Sequence, residues 1–312
     1  MDNVGVTHSG FVAFVGRPNV GKSSLVNTIL GRKVSIVSDK PQTTRHRIHG
    51  VLTVPPAQVI FVDTPGLHKP VSALGQRVNA TALASSDDVD ISCLVIDVTQ
   101  SFGSGDQWVV DNVNLARAGM RFFVIINKVD IASREKVLAQ LVKLSALNAE
   151  EYFPVSAKSG EGVDALKSAL LAAMPEGPMY YPPNEVRDTP EAEWVAELVR
   201  EELLALVFDE LPYSIATRVT EWEWPRVRCE IVVERDSQKG MVIGKKGAIL
   251  KQVGERVRMQ MAPGAFIELH VVVDKNWQQR ADRYSELRGA AGPGTEAADT
   301  GQRRVEMHYI GG

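Results

Sequence analysis

Cysteine is almost absent from this chain of 312 residues: only Cys93 and Cys229 occur, far apart and each inside an apolar run. That excludes a disulfide framework, and the two thiols read as small buried residues of a reduced protein. No Cys/His spacing suggests zinc, and the six histidines form no metal set. No uninterrupted apolar run approaches the roughly 20 residues of a membrane span. The start, MDNVGVTHSG, lacks the basic and apolar regions of a secretory signal. The expectation is a cytoplasmic protein, with peripheral membrane contact left open. A basic excess is missing too, because the formal net charge is -3. Any surface for nucleic acid must therefore be local.

What is present suffices for two domains. The runs GFVAFVG, AQVIFVD, ISCLVIDV and FFVIIN are dense in β-branched and aromatic residues without polar alternation, the pattern of buried parallel strands. Residues 22–30, 74–85, 106–118 and 134–147 lie between them with helical spacing. Residues 1–174 thus read as a doubly wound, mostly parallel α/β domain. Five prolines in MPEGPMYYPPNEVRDTP mark residues 175–189 as a linker.

From 190 to 288 the order changes to a smaller α+β domain. TPEAEWVAELVREELLALVFDEL reads as a helix with Thr189 as cap, Pro190 in its first turn, and Trp194, Leu198 and Leu204 or Val207 on one face. SIATRVTEWEW and RVRCEIVVER alternate like antiparallel strands, GAILKQVGERVRMQM returns to helix, AFIELHVVV is a strand, and NWQQRADRYSELRG is a last helix. Residues 289–312, rich in Gly, Ala and Thr, read as a disordered tail.

GRPNVGKS is a complete GxxxxGK[ST] match between a strand and a helix. Gly16 and Gly21 let the backbone curl so that the N–H groups of the loop, with Asn19, Val20 and Ser24 along it, point at phosphate oxygens. Lys22 is expected to reach the β- and γ-phosphates, and the Ser23 hydroxyl to ligate Mg²⁺. The NKVD stretch selects guanine. Asp130 can accept from guanine N1–H and its 2-amino group, whereas adenine offers neither and leaves the carboxylate poorly paired. Asn127 helps hold the base, the Lys128 stem covers its face, and Ser156, Ala157 and Lys158 follow the last strand, with the Ala157 N–H aimed at guanine O6. In DTPG, Asp63 is placed to hold Mg²⁺ through water and the Gly66 N–H to sense the γ-phosphate, with Thr64 and Pro65 between them. QTTRHRI supplies a threonine for the metal; Thr44 is favoured and Thr43 is the alternative. The water-orienting position after the sensor glycine is Leu67, which cannot polarise water, so slow intrinsic hydrolysis is expected.

A second glycine loop, MVIGKKGAIL, fails the nucleotide spacing: two lysines stand between Gly244 and Gly247, with no hydroxyl to ligate metal. Such a loop lets a nucleic-acid backbone approach while Lys245 and Lys246 neutralise phosphates. Lys251, Arg256 and Arg258 follow against Glu255 alone, while the helix after the linker is strongly acidic. Ile243, Ile249 and Val253 fit either apolar walls for bases or plain core packing. Trp222 and Trp224 share a strand face and read as structural.

The set GRPNVGKSSLVN, QTTRHR, DTPG, NKVD and SAK, followed by a Pro-rich linker and a GKKG-bearing α+β domain, resembles the bacterial Era GTPases from about residue 10 to 288. The resemblance implies a P-loop GTPase domain joined to a type II KH domain, a GTP/GDP cycle with Mg²⁺, and binding near the 3′ end of 16S rRNA during maturation of the 30S ribosomal subunit. It also implies partial association with the inner face of the cell membrane and, at Asn19, a position that in related GTPases ligates K⁺; an asparagine chosen for turn geometry fits that position equally. A monomer is expected. The other functional class is a membrane-associated signalling GTPase whose KH-like domain contacts protein instead of RNA.

Overall fold

The computed structural model describes residues 6–40, 43, 48–63, 65–67, 79–80, 83, 89–113, 120–208, 211–275 and 277. The last helix and tail expected from the sequence, most of the 74–85 helix, Thr44 and Thr64 lie outside them.

The apolar runs become the strands they resemble because each is buried on both faces. In β1 (His8–Val15), β3 (Ala57–Asp63), β4 (Ile91–Asp97) and β5 (Arg121–Asn127), nearly every residue is inaccessible. With β2 (Ile48–Val54) and β6 (Glu151–Pro154) they form one sheet in the order β2-β3-β1-β4-β5-β6. All neighbours are parallel except β2, which runs antiparallel to β3 and was not among the runs read as strands. Alternate residues separate into two cores. Phe14, Phe61, Val95 and Phe123 pack with Leu25 and Ile29 of α1 (Lys22–Leu30) and with Leu166 and Leu170 of α4 (Val163–Ala172). Val15, Val62, Ile96 and Ile126 pack on the other face with Val109 of α2 (Ser104–Asn112) and Leu144 of α3 (Arg134–Leu144). Helix α2 begins two residues before the spacing suggested, and α3 gives way to a single tight turn at Ser145–Leu147.

The crossovers leave the carboxyl ends of the parallel strands on one edge, where an open α/β sheet offers its crevice. Val15, Asp63, Asp97 and Asn127 end four of them.

Chain contacts divide the molecule at Asp188 and Thr189. The proline-rich segment is irregular and anchored to the first unit. Gln58, fully buried, accepts at Oε1 from the Tyr180 and Tyr181 N–H groups and donates to Tyr181 O at 2.9 Å. Gly177 N–H donates to Thr7 O, and Val51 N–H to Val186 O.

In the second unit, α5 (Glu191–Leu206) starts after Pro190, with no side-chain cap, so Thr189 does not play the expected role. The apolar face is as expected: Trp194, Leu198, Leu204 and Val207 are buried. A short α6 (Leu211–Ser214) leads to β7 (Ala216–Glu223), which pairs antiparallel with β8 (Arg226–Val233); β9 (Phe266–Val273) lies parallel on the other side of β8. A parallel pair needs a crossover, and two helices supply it: α7 (Asp236–Ile243) and α8 (Ala248–Arg258). The first was missed, so the GKKG loop follows a helix and not a strand. Val253 and Val257 of α8 are fully buried, as are Val227, Cys229 and Ile231 of β8. Cys93 and Cys229 are free and buried, and burial pushes both thiols well up.

Gln58→Ala would remove the acceptor of the Tyr180 and Tyr181 N–H groups and release the proline-rich segment. It is expected to lower the unfolding free energy by about 2 kcal/mol and to open residues 176–188 to protease, read by denaturant unfolding and limited proteolysis. An unchanged cleavage pattern would show that the segment is held elsewhere.

Candidate functional site

At the carboxyl edge of the sheet a cavity of about 460 Å³ is lined by the phosphate loop, by Ile36, Val37, Ser38 and Asp39, and by Thr43, Gly66 and Lys128. Helix α1 opens onto it without a side-chain cap, so the positive end of the helix faces the cavity. Gly21 holds the left-handed turn at φ 96°, where a side chain would run into Asn127. Val20 is buried, while Ser23 and Ser24 line the cavity. The Lys22 ammonium, 6% exposed, donates to the loop's own carbonyls at Gly16 (3.1 Å) and Arg17 (2.9 Å). Burial lowers its pKa to about 8, with the Asp63 charge pulling the other way.

The DTPG stretch is pressed against the same loop. Leu67 donates its N–H to Gly16 O at 3.0 Å and is completely buried in the core. A Cβ on Gly66 would stand 2.6 Å from Pro18 Cα, so only glycine fits between sensor and loop; Pro65 is buried beside it. Asp63, with no exposure, accepts at Oδ2 from the Ser35 hydroxyl at 2.5 Å. Thr43 faces the cavity and donates its hydroxyl to Lys40 O at 2.7 Å. Ser23 and Thr43 line the cavity and Asp63 is buried at the end of β3; all three are hard oxygen donors, the kind that fits Mg²⁺ completed by phosphate oxygens.

Asn127 joins the base side to the loop. It donates to Val20 O at 2.8 Å and accepts from Ala157 N–H at 3.0 Å. That N–H, expected to meet guanine O6, is thus spent within the protein. Ser156, buried, donates its hydroxyl to Asp130 Oδ1 at 2.7 Å and fixes an exposed carboxylate; Lys158 is exposed beside it. Lys128 donates to Asn19 O (2.8 Å) and to Asp97 Oδ2 (2.7 Å). Burial opposes ionisation of Asp97, but the bonds from Lys128 and Thr99 prevail and hold its carboxyl below the usual range. Asn19, at φ 63°, reaches across to donate to Asp39 O at 2.7 Å.

Sequence reasoning missed Ser35, Asp39, Asp97 and the pair of Arg17 with buried Asp106 (3.2 Å). The strand-end position of Asp97 was the one available signal; the others are tertiary contacts without a motif.

The second glycine loop is built differently. Gly244 ends α7 at φ 74°, Lys246 is left-handed at φ 54°, and Gly247 starts α8 at φ 79°. Lys245 and Lys246 are exposed. Ile243 and Ile249 are half-buried at its flanks, whereas Val253 is core and forms no wall. The basic strip is partly neutralised: Arg256 pairs with Glu202 at 3.3 Å and Lys251 stands 4.0 Å from Glu255. Arg258 is half-exposed. Trp222 and Trp224, read as structural, are 39% and 51% exposed: Trp222 follows the register shift between Val219 and Glu221 on the outer strand β7, and Trp224 lies in the turn to β8.

Phosphate arriving against Lys22 restores its charged form. GDP binding at pH about 8.5 is therefore expected to take up a proton, with the effect fading towards pH about 7, read as a calorimetric enthalpy that follows buffer ionisation. Buffer independence at the higher pH would mean that Lys22 is already charged. Gly66→Ala must separate sensor and loop, and is expected to cut GTP turnover more than GDP affinity; equal losses would show a general collapse of the site.

A family model described as 50S ribosome-binding GTPase matches residues 11–128, and one described as KH domain matches residues 210–278. GTPase Era of Mycobacterium bovis (strain BCG / Pasteur 1173P2) is 46% identical over 287 residues, covering 87% of this chain and 95% of the relative. The crystal structure of Era in complex with MgGDPNP and nucleotides 1506–1542 of 16S ribosomal RNA matches with a TM-score of 0.85 at 35% identity, covering 91% of this chain and 99% of that one. An Aquifex aeolicus Era variant bound to GDP and AlF₄⁻ matches with the same score and identity, covering 91% and 100%. With that identity over most of its length and both domains matched in order, the chain belongs to the Era GTPase family.

Proposed function

We propose that this chain is a GTP-hydrolysing switch that binds 16S rRNA near its 3′ end through its second domain and assists maturation of the 30S subunit. The observation that carries this reading is the different build of the two glycine loops. One closes a cavity over a buried lysine, with a guanine-reading carboxylate fixed at its side. The other stands open between two helices with two exposed lysines and no metal-ligating hydroxyl. The Era complex with MgGDPNP and 16S nucleotides supports the pairing of these two ligands.

In the nucleotide site Lys22 exchanges its loop carbonyls for phosphate oxygens, and Gly66 reports the γ-phosphate through its N–H. Ser23 and Asp63, with Thr43 or Thr44, hold Mg²⁺, which neutralises phosphate charge when bound. Leu67 lies in the core and leaves the attacking water without a side-chain partner from that position. Intrinsic hydrolysis is slow on this account; Asn19 is the residue that would ligate a K⁺ ion supplying the missing positive charge, and an asparagine kept for turn geometry fits that position equally. We place the protein in the cytoplasm as a monomer, with peripheral contact at the inner face of the cell membrane.

Asp130→Asn is expected to shift preference from guanine to xanthine nucleotides, measured by competition binding; retained GTP selectivity would refute the base site. Gly247→Asp places a negative charge where a Cβ meets nothing within 4 Å. It is expected to abolish binding of a 16S 3′-end oligonucleotide while GTP hydrolysis stays near the parent rate. RNA affinity of the parent is expected to fall steeply with added salt; salt-independent binding, or RNA binding unchanged by Gly247→Asp, would move the reading towards a protein partner.

A further inference from the structure

The carboxylate Asp63 is held from a direction that the nucleotide motifs do not supply. Ser35 has no exposure, and its hydroxyl donates to Asp63 Oδ2 at 2.5 Å. The backbone of Ser35 is gripped in turn by a single side chain. Asn27, in the second half of α1, accepts from the N–H groups of Val34 (2.9 Å) and Ser35 (3.0 Å) and donates to Ser35 O at 2.8 Å. Helix α1 carries Lys22 and Ser23 in its first turn. One rigid element therefore bears the phosphate-binding lysine and the metal-ligating hydroxyl at one end and, through Asn27 and Ser35, fixes the carboxylate opposite them.

A buried hydroxyl needs only some acceptor, and a neighbouring carbonyl would serve. Directed at a buried carboxylate, it does more: it engages one carboxyl oxygen and sets the rotation of the carboxyl plane. Groups that orient a metal ligand in this way govern metal affinity without touching the metal.

We propose that Ser35 is a positioning residue for the divalent cation of the nucleotide site, acting through Asp63. The inference rests on the reading of Asp63 as the carboxylate that holds Mg²⁺. Asn27 is the support that keeps the Ser35 hydroxyl on target. The same anchorage fixes the start of the segment Ile36 to Asp39, which lines the cavity.

The test is the affinity of the full chain for fluorescently labelled GDP, measured in EDTA and across a Mg²⁺ titration. For the parent, Mg²⁺ is expected to tighten binding. Ser35→Ala is expected to raise the Mg²⁺ concentration for half-maximal tightening about tenfold while the affinity in EDTA stays close to that of the parent. In an Asp63→Asn background, Ser35→Ala is expected to add nothing. Should Ser35→Ala fold poorly, Ser35→Cys keeps the size with a weaker donor and is expected to shift the midpoint less, in the same direction. An unchanged midpoint, an equal loss of affinity in EDTA, or the same shift in the Asp63→Asn background would overturn the proposal. A parent chain indifferent to Mg²⁺ would overturn the metal reading of Asp63 and the proposal with it.

Discussion

A loop that presents its N–H groups to phosphate must have its carbonyls satisfied from behind, and the first domain is organised around that requirement. Lys22 serves Gly16 and Arg17, Leu67 serves Gly16 again, Asn127 serves Val20, and Lys128 serves Asn19. Lys22 opens α1, Leu67 follows the end of β3, and Asn127 and Lys128 stand at the end of β5, so the parallel sheet acts as the frame that brings them together. The glycines follow from the same crowding. Gly66 lies against Pro18 and Gly21 against Asn127, with no room for a side chain. Asn127 touches the loop and the Ser156–Lys158 turn at once and so ties the two together.

The second domain uses glycine for the opposite end. No cavity wall closes on Gly247, whose missing side chain would meet nothing within 4 Å. The turn is stabilised by its position between α7 and α8 and by Ile249 packed against Gly244. Its lysines, Lys245 and Lys246, are exposed. A near-neutral chain thus carries two glycine loops, one beside a cavity and one open with exposed lysines.

The motifs were legible because their spacing is set by covalent geometry at strand ends, and α1 was legible to its exact bounds. Helix α7 was not: Gly240 interrupts it and only Val242 is buried, so no apolar period marks it. Val253 looked ambiguous because a groove wall and a core position share helical spacing; burial by β9 and α5 decided for the core. Trp222 and Trp224 alternate as a buried face would, but sequence does not show the register shift between Val219 and Glu221 or that the strand ends at Glu223. Ser35 and Asn27 left no trace, since their role lies in contacts across the fold rather than in a pattern along the chain.

The central claim is that the two glycine loops serve two different phosphates. The most direct measurement is ultraviolet crosslinking of the full GTP-bound chain to total cellular RNA, with peptide and nucleotide both mapped. The account places the crosslinks on the peptide that holds Lys245 and Lys246 and on the 3′ end of 16S rRNA. Crosslinks confined to the first domain, or scattered over unrelated RNAs without residues 244–247, would contradict it.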